Sequence, residues 1–155
     1  MRRMLAALLV AACSPAAPPS DNAPAELNAE PINGLWYFNS RGATVSTGFG
    51  APGSEYLFRV VCHGGTNQVK LTYSDELAPD QDTTLMLILP AQTFAIPARS
   101  SNEGQPTINA ELDGADVRLA ALAQQRDRFA VEAAGQTSVL PWDQSIARTL
   151  AACAS

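Results

Sequence analysis

The fold of this 155-residue chain is decided by the stretch EYLFRVVC, residues 55–62. Its side chains alternate between two faces, as they do in a half-buried strand. Tyr56, Phe58, Val60 and Cys62 share one face, and Leu57, Arg59 and Val61 share the other. The glycine-containing turn sequence HGGT follows at residues 63–66, and a second alternating run occupies residues 68–73. The sequence therefore predicts an antiparallel β-hairpin.

Further strands are predicted on both sides of this hairpin. The aromatic cluster LWYF, residues 35–38, follows an Asn-Gly turn signal, and residues 43–50 follow it as a second strand. The continuous apolar run at residues 83–89 predicts a central strand covered on both sides. The remaining strands are predicted at residues 92–98, 108–112, 129–133 and 137–140, with a polar loop at residues 100–106.

Two short helices complete the predicted fold. The first lies near residues 115–124, where Asp113 or Asp116 can act as the N-cap. The second lies near residues 143–153, with Asp143 as its cap and an apolar stripe formed by Ile146, Leu150 and Cys153. The predicted fold class is α+β, mainly an antiparallel β-sandwich or open barrel.

The N-terminus has the pattern of an export signal. Arg2 and Arg3 precede the apolar residues 4–12, and small residues stand just before Cys13. A membrane-spanning helix needs about 20 apolar residues, which this run does not supply, and the prolines that follow prevent a helical extension. Two alternatives remain at this point: an ordinary secretory signal, or a signal that ends in a lipid-modified cysteine.

The sequence Val10-Ala11-Ala12-Cys13 resembles the lipobox of bacterial lipoproteins. The resemblance implies that residues 1–12 are removed and that Cys13 becomes an acylated N-terminus, whose two or three chains hold it permanently at a membrane. Ser14 stands where an aspartate would imply retention in the inner membrane, so the outer membrane, facing the periplasm, is implied instead. Residues 13–32 are then predicted to form a lipidated, disordered Pro/Ala-rich tether, and residues 33–155 a single globular domain.

Charge and cysteine content narrow the possible partners and the compartment. The chain has 10 basic and 15 acidic residues, and loss of Arg2 and Arg3 leaves a net charge of −7. An acidic domain of this kind is a poor partner for nucleic acid, which requires phosphate neutralisation. With Cys13 acylated, Cys62 and Cys153 remain as an even pair in an oxidising compartment and predict a disulfide; the alternative is two buried free thiols.

The sequence contains no recognisable catalytic or metal-binding motif. His63 is the only histidine and lies on a predicted turn, without a nucleophile-elbow motif elsewhere. The acidic loop at residues 75–82 lacks the glycine and the final glutamate of a known calcium loop, so a solvated charge run is predicted. We therefore expect no cofactor and no enzymatic activity, and an enzyme ranks third among the functions considered.

A lipoprotein with an early strand ending in Cys62 and a second cysteine, Cys153, near its C-terminus is similar in layout to periplasmic lysozyme inhibitors. The family signature Ser-Ala-Ser-Gly-x-Arg-Tyr is loosely echoed at residues 98–104, without the tyrosine. The resemblance implies Arg99, Ser100 and Ser101 as candidate binding residues. The favoured function is a lipid-anchored, non-enzymatic envelope protein that binds another protein or a wall component, and inhibition of a lysozyme-like hydrolase is the alternative. The sequence does not indicate the oligomeric state.

Overall fold

A computed structural model describes residues 23–75, 77–102 and 104–154. These residues form nine strands and two α-helices, and the order of the elements follows the chain. The elements are β1 (Leu35–Arg41), β2 (Thr44–Gly50), β3 (Phe58–His63), β4 (Gln68–Ser74), β5 (Asp82–Leu89), β6 (Gln92–Ser101), β7 (Thr107–Asp113), α1 (Val117–Ala123), β8 (Arg128–Ala133), β9 (Gln136–Pro141) and α2 (Gln144–Ala151).

All nine strands belong to one sheet, in the order β1-β2-β3-β4-β7-β6-β5-β8-β9. Every neighbouring pair is antiparallel, and the sheet curls into a half-barrel. The predicted α+β class is confirmed, and the curled sheet is of the open-barrel kind. The predicted central strand at residues 83–89 is also confirmed, because β5 lies between β6 and β8.

The concave, inner face of the sheet holds the main hydrophobic core. Phe58, Val60 and Cys62 of β3 are fully buried there, as predicted, whereas Tyr56, which was predicted on the same face, is 37% exposed and lies outside this core. Helix α2 contacts β1, β2 and β3, and places Ile146 and Leu150 in the same core. The buried hydroxyl groups of Thr47 and Ser145 lie 2.7 Å apart and join β2 to α2. Helix α2 therefore packs against the β1–β3 part of the sheet.

The predicted disulfide between Cys62 and Cys153 is present. It joins β3 to the residues after α2, across a Cα–Cα distance of 5.7 Å and a sequence separation of 91. Both cysteines are buried, so the two cysteine side chains point into the core as their positions on apolar stripes predicted. Because α2 follows β9 directly, this bridge ties the end of the sheet's last hairpin to its third strand.

Both predicted helix caps are confirmed. The Asp116 carboxylate accepts a hydrogen bond from Arg118 N at 2.9 Å, and Asp143 accepts one from Ser145 N at 2.8 Å. The Arg118 guanidinium also donates to the Asp116 carboxylate, at 2.6 Å and 2.8 Å, and these bonds lower the pKa of Asp116 although burial opposes them. Among the helices that the described residues form, none is long and apolar enough to cross a membrane.

The boundaries of two predicted segments were wrong. Strand β3 begins at Phe58 rather than at Glu55, and the Tyr56 ring instead covers Gly48, where an added Cβ would lie 2.7 Å from the ring. The polar loop predicted from residue 100 begins later, because β6 continues through Ser101. The backbone of Ser100 pairs there with Gln81 and with Ile108 of β7, which extends the strand beyond its apolar residues.

The tether predicted at residues 13–32 is also shorter than expected. Its first ten residues lie outside the described ranges, but Ala25–Asn28 form a 3₁₀ turn whose Leu27 is only 6% exposed. Leu27 packs on Ile88, Ala130 and Val139, which lie on the outer face of β5, β8 and β9. One leucine among prolines and alanines predicts little burial, yet it fits this apolar patch. The end of the predicted tether therefore belongs to the domain.

Candidate ligand-binding groove

A single row of side chains crosses the outer face of seven neighbouring strands, from β1 to β5. We call it the outer row, and each member lies directly opposite the next in the strand register. Its members are Tyr37, Gly48, Arg59, Thr72, Asn109, Arg99 and Asp82. Directly opposed residues have Cβ atoms about 4.5–5.5 Å apart, so the row is a continuous line of neighbouring side chains.

A polar groove follows the outer row across β3, β4, β7 and β6. It has two adjoining stretches with volumes of about 640 Å³ and 550 Å³, which share Lys70, Ser101 and Asn109 as lining residues. Tyr56 and residues 104–107 line the first stretch, and Arg99 and Glu111 line the second. The side chains that line this groove are therefore mainly charged groups, hydroxyls and amides.

Arg59 is held in place within the groove by groups that do not neutralise it. Its Nη2 donates to Ser46 Oγ at 3.3 Å, and its guanidinium carbon lies 5.5 Å from the centre of the Tyr56 ring. A guanidinium placed against an aromatic face is stabilised by the ring quadrupole but keeps its full charge. Within the described ranges, no carboxylate oxygen lies within 4 Å of Arg59.

Lys70 is the only lysine of the chain and lines both stretches of the groove. Its register partner on β7 is Glu111, which is exposed, but no ion pair within 4 Å forms between them. Among the described residues, Glu55 is the only carboxylate that lines the first stretch. The described lining of this stretch therefore carries two cations and one carboxylate, within an acidic protein.

The neutral groups of the groove are positioned by one another. Thr72 Oγ1 donates to Asn109 Oδ1 at 3.0 Å, and Asn109 Nδ2 donates to Thr107 Oγ1 at 3.1 Å. These bonds fix the orientation of the amide at the middle of the outer row. Each group retains further hydrogen-bonding capacity, since a hydroxyl accepts through two lone pairs and an amide nitrogen carries two hydrogens.

The predicted binding residues Arg99, Ser100 and Ser101 lie on β6 rather than in a loop. Arg99 Nη1 contacts Asp82 Oδ1 at 2.8 Å and its Nε lies 3.7 Å from Asp80 Oδ1, so two carboxylates neutralise it. Ser100 is 2% exposed, and its hydroxyl donates to Ala78 O and accepts from Gln81 N. Of the three, Ser101 lines both stretches of the groove, and Arg99 and Ser100 line the second.

The other predicted residues lie away from the groove. Cys13 is outside the described ranges, and Cys62 and Cys153 are buried on the inner face. His63 is exposed at the end of β3 and does not line the groove. In the part of the chain that the structure describes, no three side chains of the metal-binding types come together.

A second concavity lies between α1 and α2, with a volume of about 350 Å³. It is lined mainly by alanines and leucines, including Leu119 and Leu150. Binding sites usually combine apolar surface with a few converging polar groups that fix the ligand. The groove on the outer face supplies many such groups, whereas this concavity has almost none, so the groove is the better candidate.

Sequence reasoning missed Arg59 and Lys70 as site residues. The alternation of the hairpin already places both on the face opposite the core, and the register of the structure puts Arg59 opposite Thr72. The missing information was the pairing of β4 with β7, which joins residues 37 positions apart and brings Asn109 beside Thr72. Comparison with protein-family models, curated proteins and solved structures found no match to this chain.

Proposed function

We propose that this protein is a lipid-anchored lipoprotein of the cell envelope whose domain binds a ligand in the groove on its outer face. In this proposal Cys13 carries the lipid, the outer membrane is its location, and the domain faces the periplasm. The domain acts by binding an envelope protein or a wall component rather than by catalysis.

One observation carries the binding role: Arg59 and Lys70 share a groove without a carboxylate partner within 4 Å among the described residues. The chain has more acidic than basic residues, so partners for these two cations are plentiful in the sequence. Positive groups that are left unpaired, fixed and surrounded by hydrogen-bonding side chains form a surface suited to an anionic ligand.

The lining of the groove supports binding over catalysis. General acid–base or nucleophilic catalysis usually relies on a histidine, cysteine or carboxylate with a shifted pKa beside a nucleophile. The described lining residues include neither histidine nor cysteine. Arg99 also weighs against lysozyme inhibition, because Asp80 and Asp82 already occupy the guanidinium that would bind a carboxylate in the hydrolase cleft.

The anchor is tested by labelling with radioactive palmitate and by membrane fractionation. We expect the native chain to take up label and to fractionate with the outer membrane, and Cys13→Ser to lose both properties. Cys62→Ala with Cys153→Ala is the matched control, since it removes the other two cysteines but leaves Cys13 available. Continued labelling and membrane retention of the Cys13→Ser chain would contradict the lipoprotein proposal.

The binding role is tested separately, with the full chain carrying Cys13→Ser and its disulfide formed. Envelope extract is passed over this protein, over a version with Arg59→Gln and Lys70→Gln, and over a version with Arg99→Gln. We expect the first and third proteins to retain the same component and the second to lose it. Equal retention by all three would show that the groove is not the binding surface.

A further inference from the structure

We infer that the groove takes a carboxylated oligosaccharide, with its acidic groups at Arg59 and Lys70. This inference deepens the proposed function and rests on it, because it names the chemical class of ligand for the same groove. It follows from the cations, the neutral lining and the paired backbone of β3 and β4 below the cations.

The cations define where a carboxylate would bind. Arg59 lines the first stretch and Lys70 lines both, so the positive charge is concentrated at the β3–β4 end of the groove. The planar Arg59 guanidinium suits a carboxylate in two-point contact, and the Lys70 ammonium adds a point charge. At the other end Arg99 is neutralised by Asp80 and Asp82, so a ligand gains little there from its acidic groups.

The neutral lining suits the remainder of a sugar chain. Thr72, Asn109, Ser101 and Thr107 offer hydroxyl and amide groups along the groove, and each such group both donates and accepts hydrogen bonds. Sugar hydroxyls have this same dual character. Tyr56 is 37% exposed beside Arg59, and its exposed part adds apolar surface at this end of the groove for the C–H groups of a sugar.

The size and openness of the groove favour an extended ligand over a small one. Strands β3 and β6 are three strand-to-strand steps apart, which is about 14 Å at the usual spacing. The groove across these strands is therefore longer than one monosaccharide or one phosphate ion. A short chain of sugar rings lying across the strands matches this distance.

An extended acidic peptide fits the same surface less well. Peptides commonly bind to sheets by adding a strand at an open edge, where backbone groups are free. Strands β3 and β4, which carry Arg59 and Lys70, pair along their length with a neighbour on both sides, so their backbone groups are used within the sheet. The backbone N–H and C=O groups of a peptide in the groove could form hydrogen bonds only with side chains and water. A sugar chain has no peptide groups that need such partners.

The test is isothermal titration of the full chain carrying Cys13→Ser, with its disulfide formed. Hexagalacturonic acid is the acidic sugar probe, maltohexaose is the neutral one, and hexaglutamate is the acidic peptide. We expect hexagalacturonic acid to bind at least tenfold more tightly than either of the others. Arg59→Gln and Lys70→Gln should each weaken this binding at least tenfold. The matched variant Arg41→Gln, whose exposed side chain does not line the groove, should change it less than about twofold.

The possible outcomes distinguish a wrong ligand class from a wrong binding site. Absence of hexagalacturonic acid binding, or equal binding of maltohexaose, would overturn the inference that acidic sugars are the ligand class. Tighter binding of hexaglutamate that is lost in Arg59→Gln would also overturn it, but would leave the groove as the binding site. Binding of hexagalacturonic acid that is unchanged in Arg59→Gln and Lys70→Gln would overturn the groove as well. Unfolding midpoints of all variants, measured in parallel, check that each one is folded.

Discussion

The outer face of the sheet has two halves that differ in what covers them. On β5, β8 and β9 the outward side chains Ile88, Ala130 and Val139 are apolar, and Leu27 from the protein's own N-terminal segment packs on them. Around the groove on β3, β4, β7 and β6 the outward side chains are mainly charged or polar, among them Arg59, Lys70 and Asn109, and none of these three is buried. One half of this face therefore completes the fold, and the other is left for a ligand.

The contrast shows how one sheet can separate stability from binding. A strand presents alternate residues to opposite faces, so Arg59 and Lys70 can change without altering their buried neighbours. On the inner face, by contrast, polar groups are buried in pairs such as Tyr73 and Ser138, whose hydroxyl oxygens lie 2.7 Å apart, and burial raises the pKa of Tyr73. Removing any group there leaves a cavity or an unsatisfied partner.

The largest expected effect comes from the disulfide, which ties the two halves together through α2. The double change Cys62→Ala and Cys153→Ala opens a loop with a sequence separation of 91, and we expect it to lower the free energy of unfolding by about 4 kcal/mol. Urea unfolding measures this loss, and reduction of the native protein should produce a similar one. Full alkylation of Cys62 or Cys153 in the unfolded, unreduced protein would contradict the bridge.

Leu27→Ala tests the contribution of the covered half of the outer face to stability. Loss of a buried leucine side chain typically costs 2–5 kcal/mol, and we expect about 2 kcal/mol here because the site lies on an outer face that can relax. Lys70→Ala is the matched change on the open half, and it should stay within about 0.5 kcal/mol of the native protein. Equal effects of the two changes on unfolding by urea would contradict the division into a covered and an open half.

Asp116→Ala tests the crossover between the two halves, since α1 connects β7 to β8. We expect a loss of about 1 kcal/mol at pH 7, because the change removes the N-cap and the bond to Arg118. The pKa of Asp116 is lowered by folding, so its charge stabilises the fold above the ordinary carboxyl pKa near 3.8.

This stabilisation is lost as the pH falls through the lower pKa of the folded state. The difference between the native protein and Asp116→Ala should therefore narrow below about pH 4 in urea titrations. Asp116→Asn keeps a capping side chain, so its loss at pH 7 should be smaller. A difference that is constant from pH 7 to pH 2.5 would show that the charge of Asp116 contributes nothing.

Much of this architecture was predictable from local sequence patterns. Alternation identified the β3–β4 hairpin, the capping aspartates identified both helices, and the cysteine count identified the disulfide. The alternation and the helix caps are patterns within a few neighbouring residues, and the disulfide follows because only two cysteines remain once Cys13 is set aside. The covered half was not predictable, because Leu27 stands alone among small and polar residues and its burial depends on strands more than 60 residues later.

The candidate groove was predictable only in part, for a related reason. The sequence placed Arg59 and Lys70 on a solvated face, but strand pairing over long separations brings Asn109 and Arg99 into the same row. The sequence likeness that suggested Arg99 and Ser100 as binding residues also gave no information about the groups that these side chains contact in the folded protein. Asp80 and Asp82 neutralise the former, and backbone groups of the β5–β6 region satisfy the buried hydroxyl of the latter.

Arg99→Ala has the smallest expected effect on stability. It tests whether the neutralised Arg99 differs in role from the unpaired Arg59 and Lys70 in the open half. The Arg99 side chain is 57% exposed, so its ion pairs with Asp80 and Asp82 should contribute less than about 0.5 kcal/mol. Thermal unfolding measures the stability, and titration of the Cys13→Ser protein against c-type and g-type lysozymes measures inhibition. Tight inhibition that disappears in Arg99→Ala would promote the lysozyme-inhibitor alternative over the groove.

The central claim, that the open half of the outer face is the binding surface, is tested most directly by mapping ligand contacts residue by residue. Backbone ¹H–¹⁵N resonances of the full chain carrying Cys13→Ser are followed during titration with hexagalacturonic acid. We predict that the shifts concentrate on β3, β4 and β7 and on residues 104–107, and that β8, β9 and α1 stay unchanged. Shifts confined to the concavity between α1 and α2, or to the half covered by Leu27, would contradict the account.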